Sequence, residues 1–358
     1  MSSLHNNSKA FGLDISDLTI RAIQFTGQGR TLSIEAYNQT PVPAGLMKYG
    51  EILEPRAVSE VIKKLIAGPK KGRFTTKRVF ASLPEWKSFV KIIEIPQVDN
   101  SQMAETIRWE AAQHIPYAID DMYLDWRVLE SNQTANTHRV LIGAIPKTVA
   151  DAYTAVLEDA DLKPIGLIIE PMAITYALAP QKTEKDFSAL VLDIGLHRTS
   201  SIIVDRGVVT YSSSTKDISG YAMTELIAKK LKITDQEAED AKRLCGLDPT
   251  RGKAVIPNTL LPYLSKIQKH IATILSFYKT HNTLGSDIQQ IVLVGGGANL
   301  KNVDIVLSQR LSKKVSLGNP WQRAESLRKT NIVSPSQAAS HCTAIGLGLI
   351  GISESYSK

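Results

Sequence analysis

Two stretches of this chain follow one grammar, and few folds accommodate both. From Phe11 to Tyr37 the sequence reads FGLDISDLTIRAIQFTGQGRTLSIEAY, and from Ala189 to Ser214 it reads ALVLDIGLHRTSSIIVDRGVVTYSSS. In each, a short apolar run ends on an aspartate, Asp14 or Asp193, and a polar turn leads into a β-branched second strand. Gly27 and Gly29 in one copy, and Asp205-Arg206-Gly207 in the other, signal the hairpin into a third strand. Repetition of the unit predicts a duplicated fold, with the two strand-tip carboxylates facing each other across a cleft between two lobes. Each turn offers closely spaced backbone N–H groups and short hydroxyls to an anion, and each carboxylate can hold a hydrated divalent cation.

At 358 residues the chain exceeds a single compact domain and has material for two cores. Hydrophobic residues at 43% and charged residues at 22% exclude wholesale disorder. The densest basic run, Lys70, Lys71, Arg73, Lys77 and Arg78, has no interleaved aromatics and reads as a solvated loop, so no nucleic acid is expected despite the net charge of +7. Cys245 and Cys342 form no C-x-x-C pair and read as buried thiols in a reduced, cytoplasmic compartment, and the histidines lack metal-ligand spacing. The longest apolar stretch near the carboxyl end, Ala344 to Ile352, is far short of the roughly 20 residues of a membrane span.

Between the meanders, Pro55 to Ala67 has the spacing of an amphipathic helix, with Ala57, Val58, Val61, Ile62, Leu65 and Ile66 on one face. Strands are expected at Val79 to Ser82 and Phe89 to Ile95, a helix from Ser101 to His114 stopped by Pro116, and strands at Met122 to Glu130 and Arg139 to Ile145 around the polar loop SNQTANT. This segment reads as a small inserted α+β unit. A helix from Lys147 to Asp161, a strand from Ile165 to Ile169 and a helix opened by Glu170-Pro171 precede the second meander. After it come helices at Gly220 to Leu231, Asp235 to Leu244 and Leu260 to Asn282, then a strand at Ile291 to Val294 running into Gly295-Gly296-Gly297-Ala298. Helices at Leu300 to Leu311 and Ala338 to Ile350 end the pattern. The expected division is a tail over 1–10, a first lobe over 11–78 and 146–187, an insert over 79–145, a second lobe over 188–218 and 286–352 bearing a helical subdomain over 219–285, and a tail over 353–358.

Asp14 with its meander, Asp193 with Gly195, Glu170-Pro171-Met172-Ala173, Glu239 with Lys242, the Gly295 to Ala298 turn and Thr343-Ala344-Ile345-Gly346-Leu347 occur in a telling order. Together, over almost the whole chain, they resemble the nucleotide-binding motifs of the actin, sugar-kinase and heat-shock chaperone superfamily. Within it, TIRWEAAQHIPYAIDDMYLDWRVL (106–129) and Ala160 to Gly166 are similar to the PilM family, cytoplasmic actin-like proteins of bacterial type IV pilus assembly. The resemblance implies an α/β, actin-like (ribonuclease-H-like) duplicated two-lobe fold with an inserted small α+β subdomain. It implies ATP and Mg2+ as cofactors, with at most slow hydrolysis. It also implies a scaffold role in pilus, secretion or competence machinery, with a PilN-like inner-membrane partner whose amino-terminal peptide binds between the first lobe and its insert and draws the chain to the membrane. The alternatives are an FtsA- or MreB-like filament-forming ATPase, a small-molecule kinase, and a chaperone. A kinase needs a base and substrate pocket in the first lobe, FtsA carries a terminal amphipathic helix where this sequence ends GISESYSK, and a chaperone needs a further domain.

Each site residue has a structural reading beside the functional one. Asp14 and Asp193 could cap turns; their duplicated placement favours Mg2+ coordination through water. Ser16 and Thr19 in the first turn, and Gly195 and Thr199 in the second, are candidate phosphate contacts. Glu170 could satisfy a helix dipole ahead of Pro171; the resemblance makes it the group that aligns an attacking water. Gly295, Gly296, Gly297 and Ala298 could be a plain strand-to-helix turn, or could let backbone lie flat against adenine and phosphate. Glu239 and Lys242 share a helix face; as a surface ion pair they are worth little, and the resemblance makes them ribose contacts. Arg198, beside His197, reaches either phosphate or solvent. Where relatives carry glycine and serines, the first turn has Ser16, Asp17 and Leu18; a carboxylate there opposes phosphate unless a cation intervenes. Trp109 and Trp126 are either core of the insert or anchors for a peptide.

Overall fold

A computed structural model of the chain describes residues 9–27, 31–132, 136–180, 183–281, 287–322 and 337–353. Most of both tails, part of the SNQTANT loop, Gly29 and the expected helix end at Asn282 lie outside these residues. The first meander forms β1 (Phe11–Ile15), β2 (Thr19–Thr26) and β3 (Ser33–Pro41). Two short strands, β4 (Met47–Lys48) and β5 (Glu51–Ile52), pair with each other. Helix α1 (Pro55–Ala67) follows, then β6 (Lys71–Gly72) and β7 (Arg78–Leu83). The next segment contains β8 (Phe89–Pro96), α2 (Asn100–Ala112), β9 (Met122–Asn132) and β10 (Thr137–Pro146). Helix α3 (Lys147–Asp159), β11 (Lys163–Ile169) and α4 (Glu170–Leu178) lead to the second meander, β12 (Ala189–Ile194), β13 (Thr199–Asp205) and β14 (Val208–Thr215). The remainder is α5 (Gly220–Leu231), α6 (Asp235–Cys245), α7 (Val255–His281), β15 (Gln290–Val294), α8 (Val303–Leu311), β16 (Lys314–Leu317) and α9 (Cys342–Ile350).

Duplication is visible in the strand order. One sheet runs β11-β7-β1-β2-β3-β6, and the other begins β16-β15-β12-β13-β14. In both, the first meander strand pairs antiparallel with the second and parallel with a later strand, β7 in one lobe and β15 in the other. Strand β7, which the sequence reading puts at the start of the insert, pairs in parallel with β1 and β11 and is therefore part of the first sheet. The insert's own strands extend the second sheet as β14-β8-β10-β9, joined through a single residue pair, Tyr211 with Lys91.

Packing follows from the apolar periodicities. On α1, Val58, Ile62 and Leu65 are buried against Phe11, Leu13 and Tyr153, forming the first-lobe core. Ile267, Ile271 and Ile274 of α7 fill the second with Leu192 and Leu293. Between the sheets lie α4 and α9, which approach each other so closely that a Cβ at Gly346 would collide with the Ala173 carbonyl oxygen. The insert core is aliphatic, built on Ile93, Ile107, Val140 and Ile142, whereas Trp109 is 71% and Trp126 37% exposed. Neither tryptophan fills it.

Other departures have local causes. Helix α7 starts at Val255, with Pro262 inside it, because Ile256 and Leu260 are drawn into the lobe core. A 3-10 turn over Gly296–Asn299 and a left-handed Asn302 delay α8 to Val303, and a 3-10 turn over Ala338–His341 precedes α9. Among the described residues, no helix is long and apolar enough to cross a membrane.

Candidate functional site

Strands β1 and β12 both end at the interlobe cleft, which is why their last polar residues meet. Asp14, Glu170, Asp193 and Gly295 line one cavity of about 230 Å3, together with Ser16 and Thr19 of the first turn and Gly195 of the second. Asp14 is buried, 3.2 Å from the Arg21 guanidinium, and accepts from Ser82 Oγ at 3.3 Å. Arg21 stands opposite Asp14 in the β1–β2 ladder. Glu170, first residue of α4, accepts from the Glu85 N–H at 3.2 Å. Burial, and then the charges of Asp14 and Asp193, push the Glu170 carboxyl well above its ordinary value. Burial and the Asp14 charge raise Asp193 to about 7, and burial raises Asp14 despite Arg21. Arg21 is the guanidinium that lowers Asp14 and Asp193, and burial, joined at Asp193 by repulsion from Asp14, outweighs it. Among the described residues, no group of three or more His, Cys, Asp or Glu side chains is placed to hold a metal directly. This donor set fits a Mg2+ that keeps its waters and takes phosphate oxygens rather than a fully protein-ligated ion.

The glycine turn is required by the same geometry. Gly295 has φ +80°, and a Cβ there would collide with Asp193 Oδ1. Gly296 lines both this cavity and an adjoining recess of about 490 Å3, which also includes Gly297, Glu239 and Lys242. Leu18, Arg21, Gly195, Leu196 and Ser340 border both, so the two form one continuous groove. Lys242 Nζ lies 2.6 Å from Glu239 and donates to the Gly220 carbonyl at 2.8 Å and to Thr224 Oγ1 at 2.7 Å. Burial opposes the Glu239 charge, but hydrogen bonds from Lys242 and Thr224 outweigh it and hold the carboxyl at about 2. The pair is thus a part-buried network at the start of α5, not a loose surface bridge.

Two expected residues are absent from the groove. Ala298 is buried beneath the turn, and Thr199 is 1% exposed with its hydroxyl turned into the protein; its neighbours Arg198 and Ser200 line the cavity instead. Asp17 also lines the cavity, and its carboxylate is anchored by hydrogen bonds from neutral amides that leave its charge in place. It accepts from the Tyr49 N–H at 2.8 Å and the Gly50 N–H at 2.7 Å. That tie presents Tyr49 and the neighbouring Trp86 to the second lobe, where the Arg198 guanidinium lies 5.1 Å and 4.3 Å from their ring centroids. Trp86 Nε1 also donates to the Tyr49 carbonyl. Sequence reasoning missed Arg21, Tyr49, Glu85 and Trp86. Of these only Arg21 carried a signal, as the one formally charged side chain in an otherwise neutral strand facing Asp14.

With this geometry in place, comparison with known proteins is specific. A solved type IV pilus biogenesis complex of PilM with PilN matches with a TM-score of 0.81 at 24% identity, covering 96% of this chain and 99% of that one. MreB5 of Spiroplasma citri bound to AMPPNP matches at TM-score 0.58 and 15% identity, with 96% of each chain covered. The ethanolamine utilization protein EutJ from Carboxydothermus hydrogenoformans matches at 0.56 and 16%, covering 98% of this chain and 92% of that one. These likenesses establish the actin-like two-lobe fold. The profile of the type IV pilus assembly protein PilM family matches residues 12–352, and the chain belongs to that family.

Proposed function

We propose that the chain is an ATP-binding scaffold of type IV pilus assembly that captures the amino-terminal cytoplasmic peptide of a PilN-like inner-membrane protein. The observation that carries the nucleotide half is the convergence of Asp14, Glu170 and Asp193 with the Gly295–Gly296 turn on one groove. In this reading Asp14 and Asp193 hold the waters of Mg2+, and the two strand-tip turns receive phosphates. Gly295 to Gly297 leave room for adenine, and Glu239 with Lys242 meets the ribose. The cation supplies positive charge among the buried carboxylates. Glu170 orients a water, while the Ser16-Asp17-Leu18 turn is poorly suited to transition-state charge, which favours binding with little turnover.

The partner half is supported by family membership and by the PilM–PilN complex as a fold relative. The insert adds exposed aromatics off the β9 edge, Trp109 and Tyr117, suited to anchor a peptide at the first lobe. Recruitment to the inner face of the cytoplasmic membrane then follows from the partner. Calorimetry tests both halves on one sample. Mg-ATP should give saturable heat that Asp193→Ala removes, and the partner peptide should bind wild type and Asp193→Ala alike. Absence of ATP heat makes the groove vestigial, and absence of peptide heat removes the tether.

A further inference from the structure

Strand β9 is one edge of the eight-stranded sheet, and no strand among the described residues pairs with its outer side. Soluble proteins usually blunt such an edge with proline, lysine or a covering loop. From Met122 to Val128, short of the register shift at Leu129, this one has neither proline nor lysine, and Tyr123, Trp126 and Val128 are exposed, as are Asp125 and Arg127. The Trp126 N–H donates to the Asp125 carboxylate at 2.8 Å, a local bond that a neighbouring strand would replace.

Its sequence decides which neighbour fits. Read outward from Trp126, the strand is self-complementary up to Leu129, where its register with β10 shifts: Asp125 mirrors Arg127, and Leu124 mirrors Val128. In an antiparallel pair of β9 strands with Trp126 on the two-fold axis, each Asp125 stands opposite the other copy's Arg127, and apolar residues stand opposite apolar residues. Alternation puts Leu124, Trp126 and Val128 on the face where Met122 and Leu124 meet the insert core, and Tyr123, Asp125 and Arg127 on the face where Tyr123 hydrogen-bonds Asp151 of α3. The charged pairs and the apolar pairs therefore occupy opposite faces without conflict. A charge placed only to deter pairing would repel its own image. Here each charge meets its opposite, which is the requirement of an isologous interface.

We propose that β9 is a homodimerisation strand, pairing antiparallel with β9 of a second copy of this chain about Trp126, so that the second-lobe sheet runs continuously through two molecules. Sedimentation velocity on the full chain, without nucleotide or peptide, tests it over a series of concentrations, with circular dichroism confirming that each variant is folded. A concentration-dependent dimer is expected. Asp125→Arg or Arg127→Asp alone puts like charges opposite each other twice and should weaken it about tenfold. The double swap D125R/R127D restores both pairs and should return the wild-type dissociation constant. A chain that stays monomeric at every concentration overturns the proposal and leaves the edge to an extended segment of another protein. A dimer unmoved by either single swap, or not rescued by the double swap, equally overturns it.

Discussion

Asp14, Glu170 and Asp193 show what burying carboxylates near one another does to their protons. Asp193 is held at about 7 against an ordinary 3.8, first by burial and then by Asp14. Between those two pH values the native state binds more protons than the unfolded chain, so stability falls as pH rises through the window. His341 acts in the opposite sense: burial holds it near 4, so it costs stability as pH falls below its ordinary 6.5. The contribution of Asp193 is isolated by difference. Without nucleotide or divalent cation, Asp193→Asn should flatten the decline between the two values and raise the melting temperature at pH 8 by about 2–4 °C. A variant whose melting profile parallels wild type would put the proton elsewhere. Turnover has its own limit in the first turn, where Asp17 adds negative charge to the cavity and Ser16-Asp17-Leu18 is poorly suited to transition-state charge. Phosphate release with Mg-ATP should stay near background, and Glu170→Gln should change it by less than about threefold. Fast turnover lost in that variant would make the chain a working ATPase.

Among the elements, α9 has the least freedom, because it runs between β1 and α4 with glycine at its closest approach. Gly346→Ala drives a methyl into the Ala173 carbonyl oxygen and should lower stability by about 1–3 kcal/mol, read as a reduced denaturant midpoint at constant m-value. An unchanged midpoint would mean that α4 and α9 separate freely. The same contrast between local signal and tertiary demand explains what the sequence disclosed. Helix α1 was legible to its ends, because Pro55 opens it and its apolar stripe has one period. The start of α7 was not: the apolar stripe was read only from Leu260, whereas burial of Ile256 carries the helix back to Val255. Strands as short as β4, β5 and β6 show no alternation to detect. In the groove, Asp14, Glu170 and Asp193 were legible as carboxylates at element ends. Glu85 was not: it is 4% exposed, and its role arises from accepting Ser200 Oγ at 3.1 Å, a partner in the other lobe. Thr199, expected at the groove, lies buried for a related reason, since neighbouring strand residues point to opposite faces and only register decides between Thr199 and Ser200.

The whole molecule turns on how its two lobes hold each other at the groove. Asp17 fixes the Tyr49–Gly50 loop, Trp86 bonds the Tyr49 carbonyl, and their rings sit beside Arg198 on the second strand-tip turn. Lys216 adds a second cation from that lobe, 4.8 Å from the Tyr49 ring centroid. Both turns that would receive phosphate are therefore linked through an aromatic pair, and ordering of one is expected to order the other. A desolvated cation–π contact contributes about 2 kcal/mol, enough to bias closure without fixing it. Hydrogen exchange with and without Mg-ATP should therefore show joint protection of residues 46–52 and 195–200 in wild type. In Arg198→Ala the nucleotide should still protect 195–200, while 46–52 exchange as in the free protein. Equal protection of both segments in that variant would show that the lobes close without Arg198, by the carboxylates and cation alone.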